Sequence, residues 1–153
     1  MKVKDVMATD FSIISTKSSI ADAAKILRKN FGDESYMNAA PGLVVVNERG
    51  ELAGILSPLT ILRALVEQSA KSGLPAVEDN AFYNQLCFHM KDKLVEDIMD
   101  WQAISVTEDA GLLEVADIFV KHRFQRIPVV KEKAVVGIIY RSRLLFALAD
   151  CLL

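Results

Sequence analysis

Cysteine and histidine are both scarce in this chain, with two of each among 153 residues. Cys87 and Cys151 could form at most one bridge, and their spacing matches neither a metal site nor a redox pair, so they read as buried or idle thiols. His89 lies among apolar neighbours of a predicted helix and reads as a partly buried core residue. With only His122 elsewhere, no metal cluster can be assembled. The seven glycines are scattered and form neither GxxxxGK(S/T) nor GxGxxG. No Ser/His/acid or Cys/His set can be nominated, and the chain is expected not to be an enzyme. Long apolar runs are missing too. Stretches such as Leu43–Val46 fall far short of the roughly 20 residues a membrane helix needs. The basic start MKVKDVM has no apolar signal core behind it, so a soluble cytoplasmic protein without a membrane partner is expected.

What is present is 52% hydrophobic and 25% charged residues, enough for one compact domain or two small ones sharing a core. The net charge of −2 argues against a surface built wholly for nucleic acid, which makes that partner an unfavoured one. The charge is unevenly spread. From Lys121 to Arg143, seven basic residues stand against the single acid Glu132, either as a solvated face or as the lining of an anion site.

The chain repeats itself. Residues 2–7, KVKDVM, match residues 94–99, LVEDIM, at an offset of 92. Ile13 and Ile14 align with Ile104 and Ser105 with one residue dropped, Leu43–Val46 lies over residues 127–130, and Gly54 over Gly137. Each copy predicts a short strand (12–15; 103–106) and then a helix. In the first copy that helix has Ile20, Ala23, Ala24, Leu27 and Phe31 at helical spacing, and Ser19 with Asp22 as a capping-box-like start. The branched run Leu43–Val46 reads as a strand covered on both faces, residues 47–50 as a turn, Leu52–Leu56 as the returning strand and residues 58–68 as a closing helix. The predicted organisation is a first unit over 1–68, a connector over 69–93 with a helix over 79–91, and a second unit over 94–153. In the connector helix Phe82, Leu86 and Met90 form one stripe, with Tyr83 and Cys87 beside it. One such unit covers its own sheet poorly. The expectation is therefore an α/β (α+β) fold of two β-α-β-β-α units packed sheet to sheet with pseudo-twofold symmetry.

The segment AGILSPLTILRAL at 53–65 is the most informative stretch. Ser57 is a good N-cap and Pro58 suits the first helical position, so a strand runs directly into a helix start whose unpaired N–H groups can hold an anion. Its echo at 136–148, VGIIYRSRLLFAL, keeps the glycine and the branched pair but not the turn chemistry.

Taken in order and twice over, the DVM/DIM openers, the PVV-type strand and the GI-x-S/T-x-x-D-like turn resemble a tandem pair of cystathionine β-synthase (CBS) domains, or Bateman module. The resemblance implies a stand-alone, non-catalytic regulatory module. Its clefts would take AMP, ATP or S-adenosylmethionine as a regulatory ligand, and it would pair into a disc-like homodimer that signals through an effector protein. It also implies that the turn hydroxyl contacts phosphate, that an Asp three residues on holds the ribose, and that the start of the PVV strand and apolar first-strand residues hold the base. Carried onto this sequence, the turn positions are Ser57 and Thr60, and Tyr140 and Arg143. The strand-start positions are Gly42 and Leu43, and Arg126, Ile127 and Pro128. The apolar positions are Ile13, Ile55, Ile104 and Ile138. Thr60 offers one hydroxyl where a carboxylate is usual, and Arg143 has donors only and cannot accept a ribose proton. Arg143, with Arg126, suits an anionic group of a ligand or an acid of its own chain. Tyr36 or Met37, in the loop at 32–41, would stack on a base or plug the cleft. The alternative to a ligand sensor is a scaffold with degenerate clefts that serves dimerisation or partner docking.

Overall fold

The computed structural model describes residues 1–31, 42–73, 77–101 and 104–153. Tyr36, Met37 and Ala103 lie outside that set. The first half runs α1 (Val3–Val6), β1 (Ile13–Ser15), α2 (Ile20–Phe31), β2 (Leu43–Val46), β3 (Leu52–Leu56) and α3 (Pro58–Ser72). After α4 (Asn80–Met90) come α5 (Val95–Ile98), α6 (Leu112–His122), β4 (Arg126–Lys131), β5 (Ala134–Tyr140), α7 (Arg141–Leu148) and a terminal 3-10 turn (Ala149–Cys151).

Local chemistry explains most of the boundaries. The aspartate of each opener accepts the backbone N–H that begins its short helix, Asp5 from Lys2 at 2.8 Å and Asp97 from Leu94 at 3.1 Å. Ser19 Oγ accepts from the N–H of Asp22 at 3.1 Å and starts α2. Asp79 does the same for α4 through the N–H of Phe82. The two hairpins turn differently. The Asn47 side chain accepts from the N–H of Arg49 and of Glu51, with Gly50 at φ +77°, whereas β4 and β5 are joined by Glu132 and Lys133 alone, both left-handed at φ +52° and +72°.

The two sheets share one register. β1 pairs parallel to β2 with Ile14 opposite Val45, and β2 pairs antiparallel to β3. In the second half β4 pairs antiparallel to β5, and Val106 bridges Val129 in parallel. Val106 is therefore the counterpart of Ile14 at an offset of 92, and Ile104 that of Ser12, so the residue expected to be dropped is not dropped. The strand expected over 103–106 is a single bridge among the described residues. Val44 donates its N–H to the Ser12 carbonyl at 3.0 Å, while its counterpart Pro128 has no N–H to give, and the parallel ladder is shorter by that bond.

Three apolar clusters hold the halves. Ile14, Ala23, Leu27, Leu43 and Leu56 form one with Val95 and Met99 of the second opener, and Val115, Phe119, Ile127 and Ile139 form another with Val3 and Val6 of the first. Each opener thus packs into the other half's core. The third cluster, Val44, Ile55 and Ile138, joins the two sheets. Backbone bridges repeat the exchange: Lys2 to Gly111 matches Leu94 to Ser19, and Ala8 to Ile138 matches Asp100 to Ile55. The two aligned glycines permit it. A Cβ on Gly54 would overlap the Asp100 carbonyl oxygen, and one on Gly137 would stand 2.6 Å from Met7 Sδ and 3.0 Å from the Ala8 carbonyl oxygen. Glu51 bridges Ala134, its own counterpart, so the pseudo-twofold axis passes between them.

Other expectations are corrected. Ala24 is exposed and Ile26 is half-buried in its place, because α2 turns Ile20, Ala23 and Leu27 inward. α3 continues to Ser72, one turn past the expected end, and stops at Gly73 with φ +81°. His89 is exposed and meets the Phe88 ring edge-on rather than joining the core, and Cys87 and Cys151 are exposed free thiols.

Candidate functional site

β3 delivers Ile55 to the interface between the halves and ends at Ser57, the N-cap of α3. The Ser57 Oγ accepts weakly from the Thr60 N–H at 3.4 Å. Pro58 follows at the first helical position, so the chain has one fewer unpaired donor there and a fixed φ suited to the turn. Thr60 is buried, and its hydroxyl donates to Asp100 Oδ2 at 2.9 Å. Its single proton being committed, the 3.1 Å contact between the Ser57 and Thr60 hydroxyls is a bond donated by Ser57. Arg63, one turn further along α3, donates from Nη1 to Asp100 Oδ1 at 3.1 Å.

A cavity of about 440 Å³ opens at this helix start. Its apolar wall is Ile55, Ile104 and Phe124, its polar groups are Ser57, Asp100, Gln125 and Arg126, and Trp101 stands at the side, 64% exposed. Three segments distant in sequence build it: the end of β3, the stretch after α5, and the start of β4. The backbone of Asp100 is held there by paired bonds with Ile55, N–H to O in both directions at 3.2 and 3.3 Å.

The pseudo-equivalent turn, from β5 into α7, is built otherwise. Tyr140 occupies the N-cap position without a capping bond, and Arg141 and Arg143 follow in the first turn, where they oppose the helix dipole. Burial pushes the Tyr140 phenol above its usual range, against the opposing pull of the Arg126 and Arg143 charges, while Asp10 adds to the rise. Arg126 is buried, and desolvation lowers its pKa despite the neighbouring Tyr140. Its guanidinium lies against Gly42, so closely that a Cβ there would be 2.9 Å from Cζ. Gly42 and Arg126 are counterparts in the repeat, and equivalent residues in contact lie at the axis.

The candidate residues therefore separate. Ile55, Ser57, Ile104 and Arg126 line one cavity, and Thr60 reaches it through Asp100. Leu43 and Ile127 are fully buried in the two cores and are not on the wall of this cavity, because they alternate with the interface-facing residues of their strands. Pro128 is buried opposite Ile138, which sits in the inter-sheet cluster, and Ile13 is 50% exposed. Arg143 is exposed and makes no ion pair with an acid among the described residues, so the expected intrachain pairing is not seen there. Of the basic stretch, Lys121 pairs with Asp117 at 2.8 Å and Lys133 approaches Glu51 at 3.8 Å. Sequence reasoning missed Phe124 and Gln125 just before β4 and, after α5, Asp100 and Trp101. For Asp100 and Trp101, their place after the DIM opener is the one local signal.

The sequence profile of the CBS domain matches residues 3–67 and 95–150. An uncharacterized protein of Methanocaldococcus jannaschii is 26% identical over 97% of this chain and 91% of its own. The solved CBS domain pair of protein MJ0100, in complex with 5′-methylthioadenosine and S-adenosyl-L-methionine, superposes with a TM-score of 0.68 at 25% identity, covering 99% of this chain and 98% of that one. CBSX2, solved in complex with AMP, superposes with a TM-score of 0.70 at 21% identity over 99% and 98% of the two chains. Among the described residues no helix is long and apolar enough to cross a membrane, and no group of His, Cys, Asp and Glu could hold a metal ion.

Proposed function

The chain belongs to the CBS-domain family, and from that premise we propose that it is a regulatory module that binds one adenosine-type compound per chain, in the cavity at the start of α3. The observation that carries this is the convergence there of a capped helix N-terminus, a buried cation, an oriented carboxylate and apolar walls in about 440 Å³. Helix N–H groups, Ser57 and Arg126 suit an anionic or strongly polar end. Ile55, Ile104 and Phe124, with Trp101 beside them, suit a flat base. The adenosine compounds in the MJ0100 domain pair support that ligand class.

The turn at Tyr140 is assigned no ligand in this reading, because the Arg126 guanidinium lies against Gly42 and Tyr140 leaves the helix start uncapped. The output passes through a second copy of the chain. Leu59, Leu62 and Val66 form an exposed stripe along α3, and Leu145 and Phe146 are exposed on α7. Leu62 and Leu145 are counterparts in the repeat, so each half offers exposed apolar side chains on its closing helix, and a second copy presenting the same surface would cover them in an isologous contact.

Thermal melting with AMP, ATP, S-adenosylmethionine and inorganic phosphate tests the ligand, with sedimentation of the same samples reporting the dimer. A ligand at a hundred times its Kd stabilises by about 2.7 kcal/mol. For a chain of this size that raises Tm by roughly 5–10 °C. The expected result is such a rise with at least one adenosine compound, and quenching or enhancement of the emission of Trp101, the sole tryptophan. No rise with any of them leaves the scaffold reading in its place.

A further inference from the structure

We infer that Asp100 is the residue by which the cavity selects a ligand carrying vicinal hydroxyls, a specificity-determining carboxylate supplied from outside the β3–α3 turn; this rests on the nucleotide reading above. Asp100 is the one acid on the cavity wall among the described residues, and an ionised carboxylate offers about four acceptor positions and no donor. Two of those positions are taken, Oδ2 by the Thr60 hydroxyl at 2.9 Å and Oδ1 by Arg63 at 3.1 Å. One position remains on each oxygen, and the side chain, 56% exposed, keeps them within reach of a molecule in the cavity. Two adjacent acceptors call for two adjacent donors, which the diol of a ribose provides.

The placement is rigid. The paired backbone bonds to Ile55 hold the residue, and the missing side chain of Gly54 allows its carbonyl to close on β3. Thr60 cannot itself accept two hydroxyls, but its proton, backed by the bond from Ser57, orients a carboxylate that can. Arg63 neutralises part of the added charge, so the carboxylate does not repel an anionic group held at the helix start.

The test compares AMP with 2′,3′-dideoxy-AMP on the full chain, by calorimetry and Trp101 emission, in the wild type, Asp100→Asn and Asp100→Ala. Hydrogen bonds to a charged group predict that removing both hydroxyls weakens wild-type binding about 10- to 100-fold. In Asp100→Ala the two compounds should bind within about 2-fold of each other, and Asp100→Asn should fall between. Melting without ligand shows that the variants fold, and the shape-conserving Asn variant decides the matter if the Ala variant does not. Equal wild-type binding of the two compounds, or discrimination that survives in both variants, overturns the role of Asp100 and leaves the nucleotide site standing. A wild type that binds neither compound overturns the parent reading, and this inference with it.

Discussion

At the start of α3 a serine caps the helix and a proline follows it, while at the equivalent start of α7 a tyrosine stands uncapped and an arginine follows. The two turns descend from the same pattern of strand, glycine and helix, yet one faces a cavity and the other faces its own chain's charged side chains. The pseudo-twofold axis supplies a physical reason. Positions on it meet their own counterparts, and two large side chains cannot fill the same space. Gly42 and Arg126 are such a pair, and the guanidinium lies over the glycine. An exact repeat would place either two glycines there, leaving a void, or two arginines, which clash and repel. Once one copy carries the arginine, the clefts on its two sides are unequal, and the neighbouring turns are free to diverge.

The largest expected effect that sharpens this comparison is at the glycines where each opener crosses the other half. Gly54→Ala forces a Cβ onto the Asp100 backbone, which has no flexible part to yield, and should cost about 3 kcal/mol or more. Gly137→Ala meets Met7 Sδ first, a flexible side-chain group, and should cost roughly 1–2 kcal/mol. Denaturant melts of both variants check the order, and equal losses would mean that the two crossings do not differ as described. A smaller effect is expected from pH. The Tyr140 phenol is raised by burial, so its neutral form favours the folded state. That contribution is complete below the unfolded value of about 10 and is lost as pH rises through the folded one. Tyr140→Phe should therefore flatten part of the alkaline decline in Tm while changing little at pH 7, and an unchanged decline would place the phenol in solvent.

The repeat was legible in the sequence because openers, branched runs and glycines obey local rules of burial and turn formation. Ser57 with Pro58 and Asn47 with Gly50 announce their structures within four residues. The exchange of openers was not legible. The apolar pairs Val3 with Val6 and Val95 with Met99 say that these segments are buried, and nothing in them says in which core. Ala24 was misplaced because alanine satisfies a helical stripe on either side of its edge. The cavity's chemistry was half legible. Ser57, Ile55 and Ile104 carry their signal in the strand and turn pattern, whereas Asp100 reaches Thr60 only through a contact spanning forty residues, permitted by the bare backbone of Gly54. The pairing of Gly42 with Arg126 depends on knowing where the axis runs.

The inequality of the two turns is tested most directly by a calorimetric titration of the full chain with AMP. One molecule bound per chain, with Trp101 emission following the same isotherm, is the expected result. Two molecules per chain, or one whose binding leaves Trp101 unmoved, would contradict it.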